Sequence, residues 1–141
     1  MRLLALDLGT KKCGVAISDP LQIIAQPLTT IFYKTQDWTA LIIALEGLMQ
    51  EYKPIAKIIL GLPCSNYQPT NPMTKVVGKF KQHLEEIWPH LEVVLFSEAY
   101  TSQAADRVMS ALGLSIRQKK HQRDQLAAQQ LLEHYLLTTK P

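Results

Sequence analysis

Three carboxylates in this chain, Asp7, Glu98 and Asp124, stand where an acid needs a partner. Asp7 interrupts an apolar run from Arg2 to Leu8, and Glu98 follows a second run from Leu91 to Phe96. An acid at the end of a buried strand is costly unless a cation or hydrogen-bond donors satisfy it. Asp124 precedes Ala127, Ala128 and Leu131 by three, four and seven residues, so on a helix it leans toward the packed side. If the three converge, oxygen-only ligation with no nearby Cys or His suits Mg²⁺ or Mn²⁺ better than zinc. Two such ions roughly 3.5–4 Å apart clamp a phosphodiester. Taken singly, each acid also has an ordinary explanation. Asp7 and Glu98 can be solvated strand ends, and Asp124 a favourable charge in the first turn of a helix.

Cations flank the same positions. Lys11 and Lys12 follow Asp7, and Arg117, Lys119, Lys120 and Arg123 precede Asp124 with His121 among them. A solvated basic loop is the commoner origin of such a cluster. If the acids meet, however, both groups rim one cleft, where nucleic-acid phosphates need neutralising. Contacts of that kind position a strand without reading its sequence. Tyr100 is either a base-stacking ring or a partly buried aromatic at a helix start.

The elements that must carry these residues follow from patterning. Arg2–Leu8 and Gly14–Ser18 read as strands joined through a Gly9–Cys13 turn, and Gln22–Ile31 as a third strand that Pro27 confines to an edge or a bulge. Helical spacing runs from Asp37 to Tyr52 through Trp38, Leu41, Leu45 and Leu48. A short strand Lys57–Leu60 is closed by Gly61-Leu62-Pro63. Asn71 and Pro72 then open a second helix on Val76, Val77, Phe80, Leu84, Ile87 and Trp88. After the strand Leu91–Phe96, Thr101 can cap a helix that Gly113 ends, and a last helix runs from about Gln122 to Leu137. A strand meander followed by alternating helices and strands predicts an α/β fold: a mixed five-stranded sheet with helices on both faces. Ligands in such sheets sit beyond the carboxyl ends of the parallel strands, where Asp7 and Glu98 lie.

Composition narrows the rest. The 141 residues, 47% hydrophobic and 19% charged, suit one globular domain over 1–141. Fifteen Lys and Arg against twelve Asp and Glu permit a polyanionic partner without demanding one. Asp7 comes too early for a signal-peptide core, and no apolar run approaches the roughly 20 residues of a membrane span, so a cytoplasmic protein is expected. Cys13 and Cys64 lie in no metal-binding or redox pattern and read as structural thiols.

Four ordered segments carry a resemblance along nearly the whole chain: Asp7-Leu8-Gly9-Thr10-Lys11-Lys12-Cys13-Gly14-Val15-Ala16, Gly61-Leu62-Pro63, Glu98 with Thr101, and Asp124-Gln125-Leu126-Ala127-Ala128. Together they resemble the signatures of the YqgF/RuvX family, bacterial proteins named both as candidate pre-16S rRNA nucleases and as Holliday junction resolvases. The resemblance implies a ribonuclease-H-like fold, a metal-dependent hydrolase, and metal-binding catalytic acids at Asp7, Glu98 and Asp124. It also implies a nucleic-acid partner, rRNA precursor or branched DNA, met by a monomer or homodimer through Lys11, Lys12, Thr101 and the basic cluster. Where the family commonly reads Asp-Glu-Arg-Leu-Thr-Thr, this chain has Ser97-Glu98-Ala99-Tyr100-Thr101-Ser102, without the flanking acid and Arg. The glycine usual after Gly-Leu-Pro is absent as well. Two rival readings remain at this level. Asp-Leu-Gly-Thr before a Gly-Val-Ala strand also resembles the phosphate loop of actin-like ATPases, which bind nucleotide between two such domains. A non-catalytic module of the same fold, bound to nucleic acid or a ribosomal precursor, would account for the missing Arg.

Overall fold

Five strands and three helices are seen in the computed structural model, which describes residues 1–63, 72–98, 111, 113 and 116–139; at 63, 97, 98, 116–125 and 139 only the backbone is described. The strands are β1 (Arg2–Leu8), β2 (Lys12–Ser18), β3 (Ala25–Phe32), β4 (Ile55–Pro63) and β5 (Glu92–Glu98). The helices are α1 (Thr39–Glu51), α2 (Pro72–Ile87) and α3 (Ile116–Thr139). No helix among the described residues is long and apolar enough to cross a membrane.

One mixed sheet has the order β3-β2-β1-β4-β5. β1, β2 and β3 form the antiparallel meander, while β1 pairs parallel with β4 and β4 with β5. Helical crossovers join the parallel strands, as parallel pairing requires. Pro27 behaves as its missing N–H dictates: β3 is an edge strand, and its register against β2 shifts at this point, with Val15 facing Thr29 and Ala16 facing Pro27.

Side-chain alternation divides the core between the two faces. Leu4, Leu6, Val15, Ile58 and Leu60 point to the side covered by α1 and α2, against Leu41, Leu45, Val77, Phe80 and Leu84. Leu3, Ala5, Ala16 and Ile59 point to the other side, under Ala128, Leu131, Leu132, Tyr135 and Leu136 of α3. Helices on both faces of a mixed five-stranded sheet were therefore legible from periodicity alone.

Several boundaries differ from expectation. The β1–β2 turn is shorter than Gly9–Cys13, because Lys12 already pairs with Phe32 and Cys13 with both Leu8 and Ile31. Cys13 is buried, with its thiol 3.6 Å from the Gly14 carbonyl, and Cys64 lies outside the described residues. Residues 19–24 form a loop built on Asp19, whose carboxylate accepts from the backbone N–H of Leu21, Ile23 and Ile24 at 3.2, 2.6 and 2.8 Å. That loop delays β3 from Gln22 to Ala25. Gly61-Leu62-Pro63 extends β4 instead of closing it, since β5 supplies partners as far as Glu98. Ile87, expected in the core, is 38% exposed.

The largest correction concerns the basic cluster. Residues 117–123 are not a loop: α3 starts at Ile116, so they occupy its first two turns and Asp124 opens the third. The apolar stripe that begins at Leu126 predicts a start near Gln122, whereas the backbone is helical from Ile116. Asn71 as N-cap and the helix from Thr101 lie outside the described residues, although Gly113 has φ +73°, the left-handed backbone with which helices commonly end.

Candidate active site at the carboxyl edge of the sheet

Asp7 is half-buried, the penultimate residue of β1 and on the α3 face by alternation with Leu3 and Ala5. Pairing of Leu6 with Leu60, and of Gly61 with Phe96, sets Asp7, Gly61 and Phe96 in one row across three parallel strands. Glu98 stands two residues beyond Phe96 at the carboxyl end of β5, opposite Pro63. It shares the α3 face with Val94 and Phe96, which pack on the α3 cluster. β1 and β5 are two strand spacings apart, roughly 10 Å. Between them Gly61 presents no side chain, and the face at that point is open to α3.

The direction of α3 follows from its contacts. Leu131 sits over Gly61, where an added Cβ would lie 3.0 Å from Leu131 Cδ2. Tyr135 reaches back toward the amino end of β4, with its hydroxyl 3.4 Å from Lys57 Nζ and its ring edge-on to Phe96 at 5.5 Å. α3 therefore runs antiparallel to β4, and its amino-terminal turns point to the carboxyl edge. Position 124 is seven residues from Leu131 toward the amino end of α3, roughly 10 Å along the axis. Helical spacing puts position 124 in register with Ala128 and Leu131. Residues 7 and 98 thus share one edge of the sheet by strand register, and residue 124 lies in the amino-terminal half of the helix that covers the Asp7 face. Among the described side chains no group of three His, Cys, Asp or Glu gathers; of the three acids, only Asp7 has a described side chain.

The turn that follows Asp7 is held by hydrogen bonds on both sides. Gly9 N–H donates to the Lys12 carbonyl at 2.8 Å, and a Cβ on Gly9 would lie 2.9 Å from that oxygen, so only glycine fits. Tyr33 clamps the turn twice. Its backbone N–H donates to the Lys11 carbonyl at 2.9 Å, and its hydroxyl donates to the Gly9 carbonyl. Burial, with Cys13 nearby, raises the phenol well above its ordinary pKa, so Tyr33 stays a neutral donor. Sequence reading did not single out Tyr33, whose only signal was an aromatic just past the third strand. Lys11 is exposed on the turn, and Lys12 is the first residue of β2. Tyr100 and Thr101 lie outside the described residues.

A family model described as RuvX, Holliday junction resolvase, matches residues 1–138. A Moorella thermoacetica protein named as a candidate pre-16S rRNA nuclease is 39% identical over 137 residues, covering 96% of this chain and 94% of that protein. A Mesomycoplasma hyopneumoniae protein of the same name is 36% identical over 139 residues, covering 99% and 96%. Among solved structures, T. thermophilus RuvC in complex with a Holliday junction substrate superimposes with TM-score 0.56 at 15% identity, covering 98% of this chain and 94% of that one. The fowlpox virus resolvase with its Holliday junction DNA also gives 0.56, at 13% identity over the full length of both chains. These likenesses show the ribonuclease-H-like fold.

Proposed function

The chain belongs to the RuvX family of Holliday junction resolvases, and from that premise we propose that it is a metal-dependent nuclease acting on structured nucleic acid, with pre-16S rRNA as its substrate. What supports this reading is the register that sets Asp7 and Glu98 at the carboxyl edge of the parallel strands, under the helix that carries Asp124. A module that only bound polyanions would gain nothing from three acids at its centre.

In this reading Asp7, Glu98 and Asp124 are ligands and not general bases. Three carboxylates without thiol or imidazole fit a hard divalent cation, and the half-buried setting of Asp7 favours a charged partner. When bound, Mg²⁺ or Mn²⁺ supplies the charge that activates an attacking water and stabilises the leaving oxygen. The clamped Gly9 turn holds Asp7 in place, while Lys11, Lys12, Thr101 and the cations of residues 117–123 bind the phosphates flanking the cut. The relatives' names support an rRNA precursor as substrate, whereas the family description supports a DNA junction.

The test is cleavage of labelled pre-16S rRNA, a four-way DNA junction and linear duplexes by wild type and Asp7→Asn, with Mg²⁺, with Mn²⁺ and in excess chelator. Metal-dependent cutting of the rRNA precursor that Asp7→Asn abolishes is expected. Equal cutting in chelator would rule out the metal mechanism, and cutting of the junction alone would make the substrate DNA.

A further inference from the structure

Across the β1–β2 turn from Asp7, on the α1 and α2 face, lies a cleft of about 530 Å³ that the nuclease chemistry does not use. It falls within the 300–1,000 Å³ typical of sites for small organic groups. Tyr33, Trp38 and Met73 give it apolar walls, Thr10 and Gln36 bring uncharged polar groups, and Lys79 is the cation at its edge. We propose that this cleft is a subsite for an unpaired nucleobase of the nucleic acid, next to the phosphodiester held at Asp7; the proposal rests on the nuclease reading above.

The chemistry of the lining selects that occupant. A nucleobase is a flat ring with a polar edge, attached to an anion. Rings and a thioether suit its faces, a carboxamide and a hydroxyl can each donate and accept at its edge, and a lysine suits the phosphate that travels with it. Trp38 is half-buried and held edge-on to Phe80 at 5.0 Å, so its ring is a fixed wall. Gln36 has φ +65°, a left-handed backbone that costs any residue but glycine and is fixed by the turn in which Asp37 N–H donates to the Lys34 carbonyl at 2.9 Å. That conformation sets an exposed glutamine on the cleft where glycine would sit more easily.

Position supplies the rest. Gly9 and Thr10 line the cleft and are the second and third residues after Asp7. The backbone from Asp7 to Thr10 spans at most about 11 Å. A strand whose phosphate lies on the Asp7 side can therefore drop its neighbouring base over the turn. The amino end of α2 at Pro72 also lines the cleft, and its dipole favours an accompanying phosphate.

The experiment uses the full chain with Asp7→Asn, which blocks turnover, and Trp88→Phe, which leaves Trp38 as its sole tryptophan. A short single-stranded RNA is titrated against it, and then the same RNA with one abasic position moved along its length. RNA should quench Trp38, and one abasic position should remove the quenching and weaken binding about tenfold or more, the range for a stacked base. Gln36→Gly relieves the backbone and keeps the fold, and it should shrink the difference between intact and abasic RNA. RNA that binds but whose affinity and quenching ignore every abasic position would refute the subsite and leave the nuclease reading standing. No binding of RNA or junction DNA would remove the nuclease reading and the subsite with it. A free mononucleotide bound as tightly as the RNA would overturn the proposal in favour of a nucleotide pocket.

Discussion

Leu131 of α3 packs directly onto Gly61 of β4, where any Cβ would come within 3.0 Å of Leu131 Cδ2 and 3.6 Å of Cδ1. This contact sets how closely α3 lies on the sheet beside the Asp7 row. Gly61→Ala needs only a small adjustment of a leucine side chain. Gly61→Val overpacks the same point and should cost about 1–3 kcal/mol. Urea unfolding of the two variants should separate them, and Gly61→Val should lose nuclease activity beyond its loss of stability by displacing α3 from Asp7.

The Gly9 turn should tolerate even less. A Cβ there meets backbone, the Lys12 carbonyl at 2.9 Å, and backbone cannot swing aside as a side chain can. Gly9→Ala should destabilise the fold and abolish cleavage. Tyr33→Phe removes one hydrogen bond to the Gly9 carbonyl and should cost about 0.5–1.5 kcal/mol, with a smaller loss of activity. A Gly9→Ala variant as stable and active as wild type would separate the turn from the site.

Asp7→Asn should behave in the opposite sense, losing activity while keeping stability. If the acids hold metal, Mg²⁺ or Mn²⁺ raises the melting temperature of wild type by mass action, and Asp7→Asn should weaken that rise. Ca²⁺, looser in its coordination, should support binding at most. A metal-induced shift of equal size in both proteins would place the ion elsewhere.

The cations at the start of α3 are predicted to provide affinity and not chemistry. Replacing Lys119, Lys120 and Arg123 together by Ala should weaken binding regardless of sequence. It should flatten the slope of log affinity against log salt by roughly 0.7–0.9 per lost contact. Because these residues occupy the amino-terminal turns of a helix, where positive charge opposes the dipole, the variant should be as stable as wild type or more so. Normal binding with failed turnover would instead put these side chains on the scissile phosphate.

Acid should loosen the far end of the sheet first. Donation from the Ile24 N–H, with those of Ile23 and Leu21, holds the Asp19 carboxyl below its ordinary value of 3.8. The folded state therefore favours the ionised form. That contribution is fully present above the unfolded value and is lost as pH falls through the lower, folded one. Asp19→Ala should remove this part of the acid dependence, read as faster amide exchange over residues 19–25 near neutral pH and less change on acidification.

The five strands, the mixed sheet and the two-sided helical cover could be read from the chain because period-2 and period-3.6 patterns are local properties. So could the acids at the ends of β1 and β5, each marked by a polar residue where an apolar run stops, and the edge position of β3, marked by Pro27. What tertiary structure decided was everything set by contact between distant segments. β4 runs on to Pro63 because β5 pairs with it, and α3 begins at Ile116 although its apolar stripe starts only at Leu126. Tyr33 reaches across to clamp the turn beside Asp7, and Gly61 lets α3 settle onto the sheet through Leu131. Periodicity reports which face of an element is buried. Only packing sets the distance and direction between elements, and whether residues 7, 98 and 124 can act together depends on those distances.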